Sequence, residues 1–340
     1  MFFLLFFFLT FFQISLTESE DLNQDKSIIV LMYHRFNDER FPSTSISNKK
    51  FDEQMSYLKK ENFTVLPISK LVSYFENKLE LPDRSIFITI DDGYKSFYEN
   101  GYPILKKNDF PFSIFLSSSF VSNGTNDFMS WEMLKELSLN KGDILNHTVS
   151  HPSLITLKNS EIKKEILDAE KVISLNMNGM NKIISYPYGD SNPIVEKIVQ
   201  ELGYKVAFAQ HSGPVNIKDS KFKIPRFSIN DQFGKINRFK QIVNSLPLNI
   251  NNLKTIEKNL ADGNLTISFD IDFNTKNLNC FINNSATLEK KNISFNNVKL
   301  KITNLKKNQR YRLNCTYFNE SRKLFWNGKM ILTTNDSLFF

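Results

Sequence analysis

From residue 27 to about 235 the chain repeats one pattern: a short apolar run, then a longer stretch whose apolar residues recur every three or four positions. Residues 27–33 (SIIVLMY) are almost wholly apolar, as a strand covered on both faces must be. Residues 49–61 follow, with Phe51, Met55 and Leu58 at helical spacing. Residues 85–90 (SIFITI) and 112–116 (FSIFL) predict two more strands. Ser130 is placed to cap a helix carrying Trp131, Leu134 and Leu137. Residues 160–178 put Ile162, Ile166 and Ile173 on one side of a helix that Gly179 ends. Residues 183–186 predict a strand. Asn192 and Pro193 then open a helix running to Leu202, with Gly203 beyond it, and residues 205–208 predict a further strand. Strands alternating with helices imply parallel pairing and an α/β domain, and their number fits a barrel better than a small open sheet.

After about residue 240 the period changes. Residues 246–259 are rich in Asn and Lys and read as a linker or a loose helix. Residues 264–273 then alternate strictly, Leu265, Ile267, Phe269, Ile271 and Phe273 against Thr266, Ser268, Asp270 and Asp272. Period two means a half-buried antiparallel strand. Val298, Leu300 and Ile302 alternate likewise, as do Tyr311, Leu313, Cys315 and Tyr317. The expected organisation is an α/β domain over residues 27–240, a linker over 241–260 and a small β-sandwich over 261–340. Cys280 and Cys315 are the only cysteines. They exclude a disulfide scaffold and a Cys-rich zinc module, and are readable either as a bridge or as two separate buried thiols.

Residues 1–12 (MFFLLFFFLTFF) are nearly all apolar, and no charge precedes Glu18. Residues 1–17 therefore read as a signal peptide or an N-terminal anchor, and the rest as exported: periplasmic, extracellular or tethered at its N-terminus. The net charge of +7 is spread along the chain, so it gives no argument for a nucleic-acid partner, while a mildly cationic surface is compatible with an anionic cell envelope.

Three segments carry the candidate chemistry, each at the end of a predicted strand: Thr89-Ile90-Asp91-Asp92-Gly93, His147-Thr148-Val149-Ser150-His151-Pro152 and Pro187-Tyr188-Gly189. In parallel α/β folds the carboxyl ends of the strands share one face, so these segments can meet. Adjacent carboxylates at the end of an extended strand point to opposite sides, one toward a metal and one left free. Two histidines and one carboxylate are a three-ligand set with positions open for water and substrate. A zincin helix needs Glu directly after its first His, and Thr148 stands there instead. Taken singly, each segment is as readily a turn or a surface pair; their order and shared placement carry the argument.

Jointly the segments resemble the polysaccharide deacetylase family (the NodB-homology domain, carbohydrate esterase family 4), whose motifs are T-F-D-D-G, H-[ST]-x-x-H-P and P-Y-G. Residues 31–34 (LMYH) further resemble the poly-N-acetylglucosamine deacetylase sub-group. The resemblance covers about residues 27–235. It implies a deformed (β/α) barrel, followed here by the small β-sandwich, and a divalent metal ion, usually Zn2+, on Asp92, His147 and His151. It implies Asp91 as general base, the Tyr188 backbone N–H beside the developing oxyanion, and hydrolysis of N-acetyl groups on an amino-sugar polysaccharide. Two departures stand out. The arginine that opens the third motif in many members is replaced by Ser185, which leaves Arg226 as the candidate to steady the catalytic carboxylate. The late Leu-x-His motif is missing, which leaves His34 or His211 as general acid. Trp131 and Tyr188 are the candidate sugar-stacking aromatics. The competing expectations are a non-catalytic carbohydrate-binding protein on the same barrel, and hydrolysis of a different, small amide.

Overall fold

The computed structural model describes residues 26–340, so the expected leader lies outside the described residues. Among those residues no helix is long and apolar enough to cross a membrane. Strand β1 (Ile28–Tyr33) pairs in parallel with β2 (Ser85–Asp92), and β2 with β3 (Phe112–Leu116). The series continues through β4 (Gly142–Asn146), β5 (Ile183–Ser185) and β6 (Val206–Phe208), all parallel. The ring is then closed by a short piece of chain. β7 (Phe227–Ser228) pairs with β1, while Ile224 just before it bridges Phe208 and exchanges backbone hydrogen bonds with Ala207 and Ala209. The result is a deformed (β/α) barrel. β4 and β5 share one registered pair, Asn146 opposite Ile184.

β1 is apolar throughout because both of its faces are covered. Ile29, Leu31 and Tyr33 pack with Phe51, Met55 and Leu58 of the helix Asn48–Lys60. Ile28 and Val30 join Phe87, Phe115, Leu145, Val206 and Phe208 on the other side. The helix starts follow local chemistry. Ser130 Oγ accepts the Met133 N–H at the head of Trp131–Leu139, and Asn192 Oδ1 accepts the Val195 N–H at the head of Pro193–Glu201. The helix Asn159–Met177 ends one residue earlier than Gly179 suggested. Asn178 takes the left-handed turn at φ 56°, a conformation Asn tolerates better than most residues.

The C-terminal part builds two sheets over a separate apolar cluster that includes Leu265, Ile267, Phe269, Val298, Leu300, Tyr311, Leu313 and Phe325. In one sheet β8 (Leu246–Pro247) lies beside β15 (Leu324–Thr333), which pairs with β14 (Arg310–Phe318) and then β11 (Asn279–Ile282); β16 (Leu338–Phe339) adds to β15. In the other, β9 (Asn251–Asn259), β10 (Asn264–Asp270), β13 (Asn297–Thr303) and β12 (Thr287–Asn292) follow in spatial order. The segment expected as a linker or loose helix is thus the edge strand β9. Almost all of its residues are exposed, so neither face needed apolar residues and no alternation marked it. Its register shifts between Asn251 and Lys254 and again before Glu257, irregularities that suit an edge.

Cys280 and Cys315 stand directly opposite each other on β11 and β14 and are bridged, with 4.1 Å between their Cα atoms. The bridge spans 35 residues. Replacing both cysteines with serine is expected to cost about 2–4 kcal/mol of stability by chemical denaturation. Intact-mass analysis without reductant should show no free thiol; two reactive thiols in the folded protein would contradict the pairing.

Candidate active site

Because the barrel strands are parallel, Tyr33, Asp92, Asn146 and Ser185 all end at one rim. Asp91 and Asp92 divide there. Asp91 is completely buried, and both of its oxygens are held by Arg226: Nη1 donates to Oδ1 and Nη2 to Oδ2, each at 2.7 Å. Arg226 is itself fully buried on the closing segment. It spends its remaining donors on Thr89 Oγ1 (3.2 Å), Ser185 Oγ (2.7 Å) and the Ala209 carbonyl (3.0 Å). The five N–H groups of a guanidinium are thereby all used, on β2, on the end of β5 and on the residue after β6. Burial raises the Asp91 pKa, but the charge of Arg226 and then that of His147 outweigh it and hold the carboxyl below its ordinary value.

Asp92 faces away from Arg226. Its backbone sits at φ 74°, which turns the carboxylate toward the two imidazoles. Asp92 Oδ1 lies 3.4 Å from His147 Nε2 and 3.3 Å from His151 Nε2. His147 Nδ1 is 2.7 Å from the Ser185 carbonyl, which can only accept, so that nitrogen carries a proton and Nε2 is left facing Asp92. Burial opposes a charged ring, but Asp92 and Asp91 outweigh it and raise the pKa, so Nε2 offers its lone pair only once its proton is displaced, as a bound cation would do. Buried Asp92 Oδ1 and His147 Nε2 have no hydrogen-bond partner, and the ligand atoms of Asp92, His147 and His151 all lie within 4.8 Å of one another. Two orphaned acceptors close together, with a second imidazole beside them, fit a divalent cation. Burial also raises the pKa of Asp92. The adjoining His147 and the field of His34 outweigh it and keep the group ionised. Burial and the neighbouring His147 push His151 down to about 4, the neutral form a ligand needs.

The 147–151 segment is a loop, as its β-branched pair and Pro152 suggest, and it is tied from both sides. Asn146 Oδ1 accepts the Thr148 N–H, while Glu165 accepts the Val149 and Ser150 N–H groups and the Ser150 hydroxyl. Thr148, His151 and Tyr188 join Asp92 at positive φ (69°, 60° and 60°). Such backbone costs roughly 1–3 kcal/mol per residue and persists where surrounding contacts over-determine it, most often at functional sites. Tyr188 is 41% exposed, and its ring meets His151 edge to face at 4.5 Å. Tyr94, which the motifs do not include, lies against Asp92 and under Arg35, with its pKa pushed up to about 12 by burial and by Asp92.

Of the remaining candidates, His34 follows β1 closely enough for its charge to be felt by Asp91, Asp92 and His151. His211 is set elsewhere, buried among Lys329, Lys223 and Arg312. Burial first, and those cations next, hold it well below the usual imidazole range. Trp131 packs half-buried on the main core. Sequence reasoning missed the role of Glu165, which nothing in its local pattern marked; Asn146 and Tyr94 adjoin the motif segments, but their contacts with Thr148 and Asp92 were not foreseen.

Residues 78–207 match the family model described as polysaccharide deacetylase. That stretch belongs to the polysaccharide deacetylase family. Among curated relatives, the poly-beta-1,6-N-acetyl-D-glucosamine N-deacetylase of Staphylococcus aureus is 26% identical over 236 residues, covering 61% of this chain and 80% of that protein. Two solved structures share the fold of the deacetylase domain. The deacetylase PplD of Streptococcus pyogenes, solved with acetate, has a TM-score of 0.60 at 23% identity over 64% of this chain and 98% of its own. IcaB of Ammonifex degensii has a TM-score of 0.58 at 21% identity over 65% and 98%. Within this chain, Arg226 donates to both Asp91 and Ser185, so the two residues that bracket the carboxylate come from different strands.

Replacing Arg226 with Met leaves Asp91 buried without a counter-charge. The unfolding free energy in urea is expected to fall by about 3–5 kcal/mol, and the double variant Arg226→Met/Asp91→Leu to recover most of it. A loss below about 1 kcal/mol in the single variant would mean that Asp91 does not depend on this cation.

Proposed function

We propose that the chain is a metal-dependent hydrolase that removes N-acetyl groups from an amino-sugar polysaccharide. The observation that carries this reading is the pair of orphaned buried atoms, Asp92 Oδ1 and His147 Nε2, beside a separately anchored second carboxylate. Asp92, His147 and His151 would hold the ion, for which the two-imidazole, one-carboxylate set suits Zn2+. An ion bound there supplies Lewis-acid polarisation of the acetamide carbonyl and lowers the pKa of water toward neutrality.

The other steps belong to the protein. Asp91, kept ionised by Arg226 and 4.0 Å from His147 Nε2, takes the proton of the water that attacks the carbonyl carbon. The backbone N–H of Tyr188, presented by its left-handed turn, faces the oxygen on which charge develops. The C–N bond breaks, acetate leaves, and His34 protonates the departing amine. We prefer His34 to His211 because burial first, and the nearby cations next, disfavour the charged form of His211. Tyr188, half exposed beside His151, contacts the sugar. The Staphylococcus relative is named for poly-beta-1,6-N-acetyl-D-glucosamine, and we take a polymer of that class as the substrate. The bridged Cys280–Cys315 pair supports an exported protein, since such bonds persist in oxidising compartments.

Acetate release from N-acetylglucosamine oligomers should vanish on chelation and return with Zn2+. His147→Ala and His151→Ala should lose both metal and turnover. Asp91→Asn should lower kcat by about 10²–10⁴-fold. Metal-loaded wild-type protein that binds the glycan but never releases acetate would favour a non-catalytic carbohydrate-binding role. Turnover of other amides, with none of the oligomers, would favour a different small substrate.

A further inference from the structure

The alternation in β14 buries Tyr311, Leu313 and Cys315 in the C-terminal core. Its opposite face carries Arg310, Arg312 and Asn314, a polar row that an isolated sandwich would turn to water. Here that row meets the barrel. Arg310 Nε and Nη2 donate to the two oxygens of Asp190 at 2.6 and 2.7 Å, a bidentate pair whose carboxylate is only 1% exposed. Asp190 also accepts from Ser153 Oγ. The Arg310 guanidinium carbon lies 4.4 Å above the ring centre of Tyr188, and that ring touches His151.

Arg312 reaches the next loop, donating to the Gln210 carbonyl at 3.3 Å and to Oε1 at 3.4 Å. Gln210 is what the 187–190 turn packs on, since a Cβ on Gly189 would sit 2.3 Å from its backbone N. The sheet itself comes down tightly: a Cβ on Gly328 of β15 would lie 2.1 Å from the Ser212 carbonyl, and Trp326 stacks edge to face on Phe227 at 5.1 Å. The contact between the two parts is therefore built from backbone approach, an aromatic pair and a charged fork.

We propose that Arg310, contributed by the C-terminal sheet, is a positioning residue of the active site: it fixes the Tyr188–Asp190 turn, and with it the Tyr188 ring and N–H beside His151. This inference rests on the deacetylase reading for its catalytic consequence but not for its structural one. The fork grips Asp190 in one orientation, and the face of the same guanidinium holds the Tyr188 ring from above. A residue at φ 60° with a half-exposed ring needs such outside support. The C-terminal part, which lies beyond the stretch matching the family, thus completes the wall of the site.

The test uses the full chain carrying Arg310→Ala or Arg310→Lys, each checked for one metal ion per chain. Amide exchange at Gly189 and Asp190 is expected to rise about tenfold or more in Arg310→Ala, with that of β2 unchanged. On N-acetylglucosamine oligomers kcat should fall about 10–100-fold, with KM within about threefold, because the damage falls on the oxyanion side and not on sugar contacts. Arg310→Lys, which keeps the charge but loses the fork, should fall between the two, and added guanidinium ion should restore part of the Arg310→Ala loss. Unchanged exchange, or raised exchange with kcat within about twofold of wild type, would overturn the proposal. If wild-type protein releases no acetate, the deacetylase reading falls. The exchange measurement then decides alone whether Arg310 holds the turn.

Discussion

A carboxylate sealed from water stays charged only if a cation is bonded to it, and at the rim of this barrel that cation is Arg226. Its guanidinium enters from the segment that closes the ring, so the same few residues join β6 to β1 and neutralise Asp91. The dependence runs both ways. Without the closing segment Asp91 has no partner, and without Asp91 a fully buried arginine has lost its only charged one among the described contacts. The position of the second carboxylate follows. With Asp91 tied inward, the left-handed backbone at Asp92 sends the next side chain toward the histidines.

Around this pair the site is assembled from chain ends and loops, each held by a specific polar contact. Ser185 serves twice: its hydroxyl accepts from Arg226, and its carbonyl sets the tautomer of His147. A single strand end thereby connects the charged anchor of Asp91 to the lone pair that would face the ion. Asn146 and Glu165 hold the loop between the histidines. Four side chains at the rim occupy strained backbone, and the surrounding hydrogen bonds carry that strain.

The sequence was legible where periodicity met full or half burial. The apolar runs of the barrel and the alternation of β10, β13 and β14 follow from faces that must be covered. β9 left no such trace, because an edge strand open to solvent on both faces imposes no pattern. In the site, the motif residues could be grouped from their shared position at strand ends, and Ser185 could be seen to lack the charge that Asp91 needs. Arg226 was within reach only as a candidate, because Ser185 left that carboxylate without the expected cation. Glu165 and Arg310 were out of reach, since they act on residues brought near only by the fold. Arg310 was disguised further: on an alternating strand the polar face reads as solvent-facing, and here it reaches the buried Asp190 of the barrel.

The barrel and the C-terminal sheets consequently meet at the site and not merely next to it. The central claim remains the division of labour between two neighbouring aspartates, and metal stoichiometry measures it directly. Purified wild-type and Asp91→Asn proteins should each hold one divalent ion per chain, while Asp92→Asn should have lost it. The reverse result, metal lost with Asp91 and retained without Asp92, would contradict this account of the site.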